Sequence, residues 1–524
     1  MHAFFASTPS MLHNFIPRFV SSNRMRALVT LVGALMPLSI YAAETSPLSA
    51  TVIDGADAYS PVQLFAVYRD QLGRPINNAN AREILAQIEA LYARDGYSRP
   101  EFQIDSELVG NGILRVAVFE AQITEVTLSG DVGPYAERLR QLGDALQASV
   151  PLKATAVRTF MQQVRELPGL QVSARTARDT SRRNAYTLSV DAEYRALESV
   201  VQITNRGTES IGPNFLLGQL IGNNLLGFDE RLGLIVSAAW DYDEYRGGGL
   251  FFDAPLNSAG TRLTTTLFGS VSNPDDAVDL DDVYDRERAV VRVSHPLFDS
   301  AQTRLTLSGG VDFDDLEVSV RDRSIRDERL RVAELGMKLT TRTGAMQHLV
   351  ALQARQGIDA LGSRLEALDL ARDRRREDFQ LLRLQYTQLT RVREQWLVRL
   401  DVLGQQSSYI LPDAERYKIG GERLGRGFEV TQIAGDQGIG AKAELRREFA
   451  SASWGRPSVY AFYDFGAAWK QDRREQESAS TSGLGLAFDY QRWSGYLEVA
   501  RPLTHADVEG EKEAKVFAEI SMRL

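Results

Sequence analysis

Two hydrophobic periods divide the chain. From about residue 50 to residue 195, apolar side chains recur three and four positions apart, and short apolar runs separate those stretches. The order is strand, helix, helix, strand, strand, and then the same order again. In the first copy TVID precedes Ser60-Pro61, a cap residue followed by proline at the first helical position. A second helix follows, with Ile84, Leu85, Ile88, Leu91 and Tyr92 on one face and Asn80 with Glu83 as a capping box. EFQI and ILRVAVFEA then form two strands around Gly110-Asn111-Gly112. In the second copy ITEVTLSG leads into a helix carrying Leu139, Leu142 and Leu146. A further helix carries Val157, Phe160, Met161, Val164 and Leu167, and QVSARTA and AYTLSVDAEY close the unit. Each copy is a helix pair on a small sheet, so the pattern predicts two α+β modules.

After about Leu197 the helical period gives way to a period of two. Leu305, Leu307, Gly309, Val311 and Phe313 alternate with Arg304, Thr306, Ser308, Gly310 and Asp312. The alternation returns at Leu232 to Trp240, Ala333 to Leu339, Leu382 to Tyr386, Trp396 to Val402 and Leu484 to Tyr490. A soluble sandwich, whose apolar faces meet inside, would show the same alternation. Marking strands between polar or glycine-rich connections gives about sixteen over some 330 residues, an even count that suits an outer-membrane barrel. Connections alternate short (257–260, 298–302, 491–492) with long and charged (272–288, 358–378, 408–437), as tight periplasmic turns alternate with large outer loops. The expected fold is two α+β modules followed by a transmembrane antiparallel β-barrel of about 16 strands.

Around Met25 a positive start at Arg24 and Arg26, an apolar run from Ala27 to Ile40 and small residues at Ala42 and Ala43 follow the order of a secretory signal. The run is too short to span a bilayer as a helix and Pro37 interrupts it, so residues 1–43 read as a cleaved leader. Lys+Arg at 60 against Asp+Glu at 69 gives a net charge of −9, which disfavours a nucleic-acid partner. The chain has no cysteine, so disulfides, thiolate nucleophiles and cysteine-ligated metals are excluded. Five histidines leave little for a histidine metal site or triad, and neither a serine elbow nor HExxH occurs. The expectation is no enzyme, no cofactor and no metal.

The string GGERLGRGFE (420–429) lies in the longest loop, and FYDFG (462–466) begins 33 residues after it. With NNLLGFDERLGL (223–234), AGDQGIGAKAELRREF (434–449) and YLEVARPL (496–503), these strings resemble the two-partner secretion transporters of the haemolysin-activator and filamentous-haemagglutinin type. The resemblance implies two POTRA modules (44–122 and 123–196), a sixteen-stranded outer-membrane barrel (197–524) and an outer loop, 408–437, folded back into the lumen. On the strand around FYDFG, Asp464 shares a face with Phe462 and Gly466, opposite Val459, Ala461 and Tyr463, and one of these faces must line the lumen. By resemblance it is the Asp464 face, and Arg426 at the loop tip, flanked by Gly425 and followed by Gly427 and Phe428, meets Asp464. Two positions depart from the family pattern: Gly425 replaces a small branched residue and Leu524 a terminal aromatic. The family's best-known members carry a plug helix before the first POTRA; the short stretch between Ala43 and the first module implies that the plug helix is absent here.

The implied function is export of a partner exoprotein, an adhesin, haemolysin or contact toxin, from periplasm to cell surface. The alternatives are an outer-membrane protein assembly or insertion factor of the same superfamily, or a porin-like channel. The modules would capture the exoprotein beside the second helix of the first POTRA, with Ile84, Leu85, Ile88 and Leu91 as groove wall. Further implied partners are outer-membrane lipid, lipopolysaccharide and, during biogenesis, the barrel-assembly machinery; the expected state is a monomer. Asp275, Asp276, Asp279, Asp281, Asp282 and Asp285 crowd one outer loop without calcium-loop spacing, and Arg372, Arg374, Arg375 and Arg376 form a basic run in another. Gly438-Ile-Gly440 leads into a strand rather than a helix and so is no phosphate loop.

Overall fold

A computed structural model describes residues 46–105, 111–274, 282–300, 302–321, 323–367, 374–451, 455–472, 475–504 and 513–524. The expected leader (1–43), Gly110, Asp275, Asp276, Asp279, Asp281, Arg372 and His505 lie outside the described residues. The chain divides into two compact units between Arg195 and Ala196. Among the described residues no helix is long and apolar enough to cross a membrane.

The N-terminal unit holds two modules. In the first, strand Ile113–Phe119 lies between Ala50–Asp54, which it pairs in parallel, and Glu101–Asp105, which it pairs antiparallel. Helices α1 (Pro61–Tyr68) and α2 (Asn78–Arg94) supply the crossover that a parallel pair requires. Ser60 caps α1 in a capping box with Gln63. The cap of α2 is Asn77, whose Oδ1 accepts from Asn80 N at 2.9 Å. Asn80 therefore stands inside the helix and turns its Nδ2 back to Pro75 O at 2.7 Å, so the cap lies three residues before the expected Asn80 and is a single side-chain cap rather than a box with Glu83. Ile84, Ile88 and Tyr92 pack on Leu114, Val116 and Val118. Buried Tyr92 donates to Glu120 Oε1 at 2.6 Å, and Ala58 N donates to the same oxygen at 3.1 Å. Burial, and then the Glu120 carboxylate, push the Tyr92 hydroxyl above the ordinary tyrosine range.

The second module repeats the plan. Ala185–Tyr194 is the central strand, parallel to Gln122–Asp131 and antiparallel to Leu170–Arg178. Helices α3 (Ala136–Gln147) and α4 (Ala156–Arg165) bury Leu139, Leu146, Phe160 and Val164 against Ile123, Leu188 and Val190. The two modules are stapled together. Leu152 N donates to Ala121 O at 2.7 Å, Ser98 N to Leu152 O at 2.8 Å, and Asn184 Nδ2 to Phe119 O at 2.8 Å.

The C-terminal unit is a closed antiparallel barrel of sixteen strands, from Leu197–Thr204 to Lys515–Arg523, which pair with each other to close the ring. A short segment, Arg364–Ala367, adds to the upper part of the longest strand, Arg323–Thr343. Strand Asp282–Asp299 takes in residues expected in a loop at 272–288, because Tyr284 to Ser294 pair along Ser272 to Arg262. Asp282 and Asp285 are therefore strand residues. The apolar side of the alternation faces out: Leu335 is 70% exposed and Leu484 66%. The polar side is shut in, with Asp312, Glu334, Arg355, Asp401 and Glu498 buried on the inner wall. An apolar exterior around a polar interior is the arrangement of a wall in lipid. The inner wall is cross-linked by charge: Arg288 and Arg355 both reach Asp312, at 2.6 and 2.8 Å, and Arg292 and Arg355 both reach Glu334 at 2.7 Å. In the outer basic run Arg375 pairs with Glu328 and Arg376 with Asp378, so those charges are already partnered within the chain.

Candidate functional site: the inward loop and its anchors

Between strands Trp396–Gln406 and Gln437–Glu448 the chain turns into the barrel. The loop carries a two-stranded ribbon, Tyr417–Ile419 on Ile433–Gly435, and Tyr417, Ile419, Leu424, Phe428 and Ile433 form a buried cluster with Leu403, Ala468 and Ala479 of the wall. Missing side chains on the wall make the room. A Cβ at Gly440 would stand 2.3 Å from Leu424 Cδ2, and one at Gly466 would stand 2.9 Å from Ile419 Cδ1. At the tip, Gly425 adopts φ +86°, a left-handed conformation costly to any residue with a side chain, which accounts for glycine at that position. Gly427 follows against Thr481 and Pro502, where a Cβ would come within 2.9 Å of Thr481 Cγ2.

This turn delivers Arg426 to Asp464. Arg426 Nη2 donates to Asp464 Oδ1 at 2.9 Å, and Arg426 Nε and backbone N both donate to Oδ2 at 3.1 Å. Gly425 N is the fourth donor to this carboxylate, reaching Oδ2 at 3.2 Å. The guanidinium lies over the Phe462 ring, with Cζ 3.5 Å from the ring centroid. Arg426 Nη1 reaches two further carboxylates, Glu444 Oε2 at 3.1 Å and Glu498 Oε2 at 3.3 Å. Arg426 is 5% exposed and Asp464 fully buried, so Asp464 leans on Arg426 for its ion pair while Arg426 shares its charge among three carboxylates.

A second set of contacts holds the root of the loop. Glu415 is buried and accepts from Arg355 Nη2 at 2.7 Å, Arg355 Nε at 3.1 Å and Arg383 Nη2 at 2.9 Å. Asp436, where the loop leaves, accepts from the backbone N–H groups of Leu411 and Gln471, each at 2.8 Å. The loop is thus strapped to two parts of the wall by charge and backed by a small apolar cluster.

Arg426, Gly427, Phe428, Phe462, Asp464 and Gly466 are gathered in one place. Glu444, Glu498, Glu415, Arg355 and Arg383 join the same two anchors, and sequence reasoning did not single them out. Glu444 and Glu498 lie within the strings AGDQGIGAKAELRREF and YLEVARPL, at inward positions of the period of two, which is the signal that could have found them. The groove residues are placed elsewhere, on α2. Ile84 and Ile88 face the core of their own module, while Leu85 and Leu91 are partly buried beside it.

A family model for haemolysin secretion/activation proteins of the ShlB/FhaC/HecB type matches residues 188–488, more than half of the 524-residue chain. The chain belongs to that family. Haemolysin secretion/activation proteins of this type are outer-membrane transporters that secrete a partner protein, and this chain is accordingly a bacterial outer-membrane protein. Among solved structures, CdiB from Escherichia coli is similar at TM-score 0.71 and 18% identity, with 96% of each chain covered. CdiB from Acinetobacter baumannii is similar at TM-score 0.61 and 15% identity, with 98% of each chain covered. BamA from Haemophilus ducreyi, in a form lacking POTRA domains 1–3, is similar at TM-score 0.50 and 13% identity, covering 91% of this chain and 100% of that one. A comparison with curated protein sequences gives no match. At these identities the structural likeness speaks for the fold, and the family model carries the membership.

Proposed function

We propose that this secretion/activation protein takes an unfolded exoprotein, an adhesin, haemolysin or contact toxin, onto its N-terminal modules in the periplasm and passes it outward through the lumen without nucleotide hydrolysis. The observation that carries the reading is the inward loop. It enters a polar lumen, and its tip is held by hydrogen-bonded charges beside a small apolar cluster. Water or an extended passenger backbone offers those charges replacement partners, so the loop has a route out of the lumen that leaves the wall intact. The modules read as POTRA modules at residues 44–122 and 123–196. Their sheets have strands at open edges, Glu101–Asp105 in the first and Leu170–Arg178 in the second, suited to capture by strand addition. On α2 the capture surface is formed by the exposed side of the helix together with Leu85 and Leu91. In the same reading the protein acts as a monomer, is inserted by the barrel-assembly machinery and meets lipopolysaccharide at its outer loops.

Photocrosslinkers at Gln87 and Arg94 on α2 and at Gln103 on the edge strand, with an exoprotein from a neighbouring gene co-expressed, test the capture step. Crosslinks to the exoprotein are expected, and their absence at all three positions would remove the capture surface. Deleting the loop should raise conductance in planar bilayers; unchanged conductance would mean that something else fills the lumen.

A further inference from the structure

The barrel closes where its first strand meets its last, and this ladder is short, running from Thr204 against Glu519 to Val200 against Arg523. Backbone bonds carry it one residue further at each end, Ser199 exchanging bonds with Leu524 and Asn205 N donating to Ala518 O at 3.2 Å, and past Thr204 side chains add to the seam. Asn205 exchanges bonds with the last strand: its Oδ1 accepts from Ala518 N at 2.7 Å, and its Nδ2 donates to Val516 O at 2.9 Å. Arg206 follows. Its Nη2 donates to Glu498 Oε1 at 2.6 Å and its Nε to Tyr496 Oη at 2.5 Å, while its guanidinium lies 4.3 Å from the Phe517 ring centroid. Arg206 thereby reaches across the last strand to the one before it, like a clasp over the seam.

Glu498 is also the carboxylate that Arg426 touches. Its Oε1 faces Arg206 and its Oε2 accepts from Arg426 Nη1 at 3.3 Å and from Tyr460 Oη at 3.0 Å. Arg206, Arg426 and Glu498 are 8%, 5% and 2% exposed, so solvent screens them little. We propose that Glu498 is a positioning residue shared between the loop tip and the barrel seam, so that one carboxylate serves both the Arg426 contact and the Arg206 clasp.

Two cations on one buried carboxylate compete. Each draws on the same negative charge and each repels the other. When Arg426 is present, Glu498 divides its charge between the tip and the seam. When the tip withdraws, Arg206 becomes the sole cation paired with Glu498 among the described residues, and the clasp tightens. The seam is therefore held most firmly when the lumen is open, and the wall stays shut while a passenger occupies the barrel. This consequence rests on the reading that the loop leaves the lumen during transport, whereas the sharing itself is testable without a passenger.

The test is amide hydrogen exchange on the full-length protein in detergent or bilayer, followed in peptides covering Leu197–Asn205 and Lys515–Arg523, because exchange reports local opening. R426Q should slow exchange at the seam by about threefold, a coupling within the usual range for residues sharing a partner. E498Q and R206Q should each accelerate it, and R426Q added to E498Q should have no further effect. Unchanged or faster seam exchange in R426Q would overturn the proposal, as would an R426Q effect that persists in the E498Q background. If E498Q does not give a heat-modifiable barrel, the comparison of R426Q with R206Q decides, since opposite signs are required. Secretion is not the readout, so failure here leaves the transport reading standing, and failed secretion leaves this pairing standing.

Discussion

Asp464, fully shut off from solvent, takes four N–H groups from two successive loop residues, and three of the four belong to Arg426. The loop tip is therefore held by its backbone as well as by its charge. The two halves of the pair are not equivalent, because removing Asp464 orphans all four donors whereas removing the Arg426 side chain leaves two backbone donors in place.

Asp464→Ala should accordingly displace the loop at least as far as Arg426→Ala. Breaking a buried ion pair costs on the order of 3–5 kcal/mol, and here that loss falls on loop position, since the closed ladder of backbone bonds holds the wall. All variants, including the double, should keep heat-modifiable mobility and lose secretion, with the double less than additive. Arg426→Lys should fail to restore activity, because one ammonium cannot reproduce the two-nitrogen contact with Asp464 and the contacts with Glu444 and Glu498. Full secretion in either single alanine variant would show that the pair does not hold the loop for function.

Gly440→Val places branched carbon where Leu424 and the Tyr417 hydroxyl already stand, 2.3 and 2.7 Å from the first added atom. The strand itself tolerates valine, whose β-propensity is high. The expected result is a folded barrel with the loop ribbon pushed off the wall, read as higher conductance and faster protease cleavage near Arg423. A variant with ordinary conductance would mean that the ribbon is not seated against Gly440.

At the loop root, Glu415→Gln removes one charge from Arg355 and Arg383 but leaves Arg355 its bonds to Asp312 and Glu334. A charge-assisted bond of this kind contributes about 1.5–3 kcal/mol. The wall should keep its thermal stability while cleavage after Arg416 and Lys418 becomes faster in the intact barrel. Equal loss of wall stability and loop protection would show that Glu415 belongs to the wall rather than to a latch.

In the first module, Tyr92→Phe removes the bond to Glu120 and should cost about 1–2 kcal/mol of module stability. The pH dependence has a definite sign. Because the folded state holds the Tyr92 hydroxyl above its ordinary value of 10.0, its contribution is complete below pH 10 and declines above it, where the unfolded chain ionises and the folded module does not. Denaturant titration of the full-length protein, followed by proteolysis of the module, should show wild type losing stability above pH 10 more steeply than Tyr92→Phe. Parallel curves would remove Tyr92 as the cause.

Much of this molecule is legible in the order of its residues. The helical period marks the two modules, Ser60 with Pro61 marks the start of α1, and the period of two marks the barrel strands, because side-chain direction follows from backbone geometry alone. Asn77 and Asn80 show where local reading reaches its limit. Both are good caps, and the choice between them rests on which one has an extended backbone when Pro75 and Ile76 pack. The strand at 282–288 resembles a solvated connection in its charges, among them Asp285, Arg286 and Arg288; with Arg286 on Asp314 and Arg288 on Asp312 of the neighbouring strand, it is part of the wall.

The sequence by itself determined most of the elements, the alternation of faces along the strands and the presence of an arginine at a glycine-flanked tip. Only the tertiary structure decided which face meets lipid and which charges meet each other. An alternating strand is the same object in a sandwich and in a barrel until the sheet closes. Arg206 and Glu498 lie 292 residues apart, and Arg355 and Glu415 60 apart. The period of two marks Glu498 as inward-facing, but nothing in the local surroundings selects which arginine meets which carboxylate. Closing the ring brings the first strand to the last and folds the loop into the polar interior, and a buried charge in that space is tolerated only beside the partner that closure supplies.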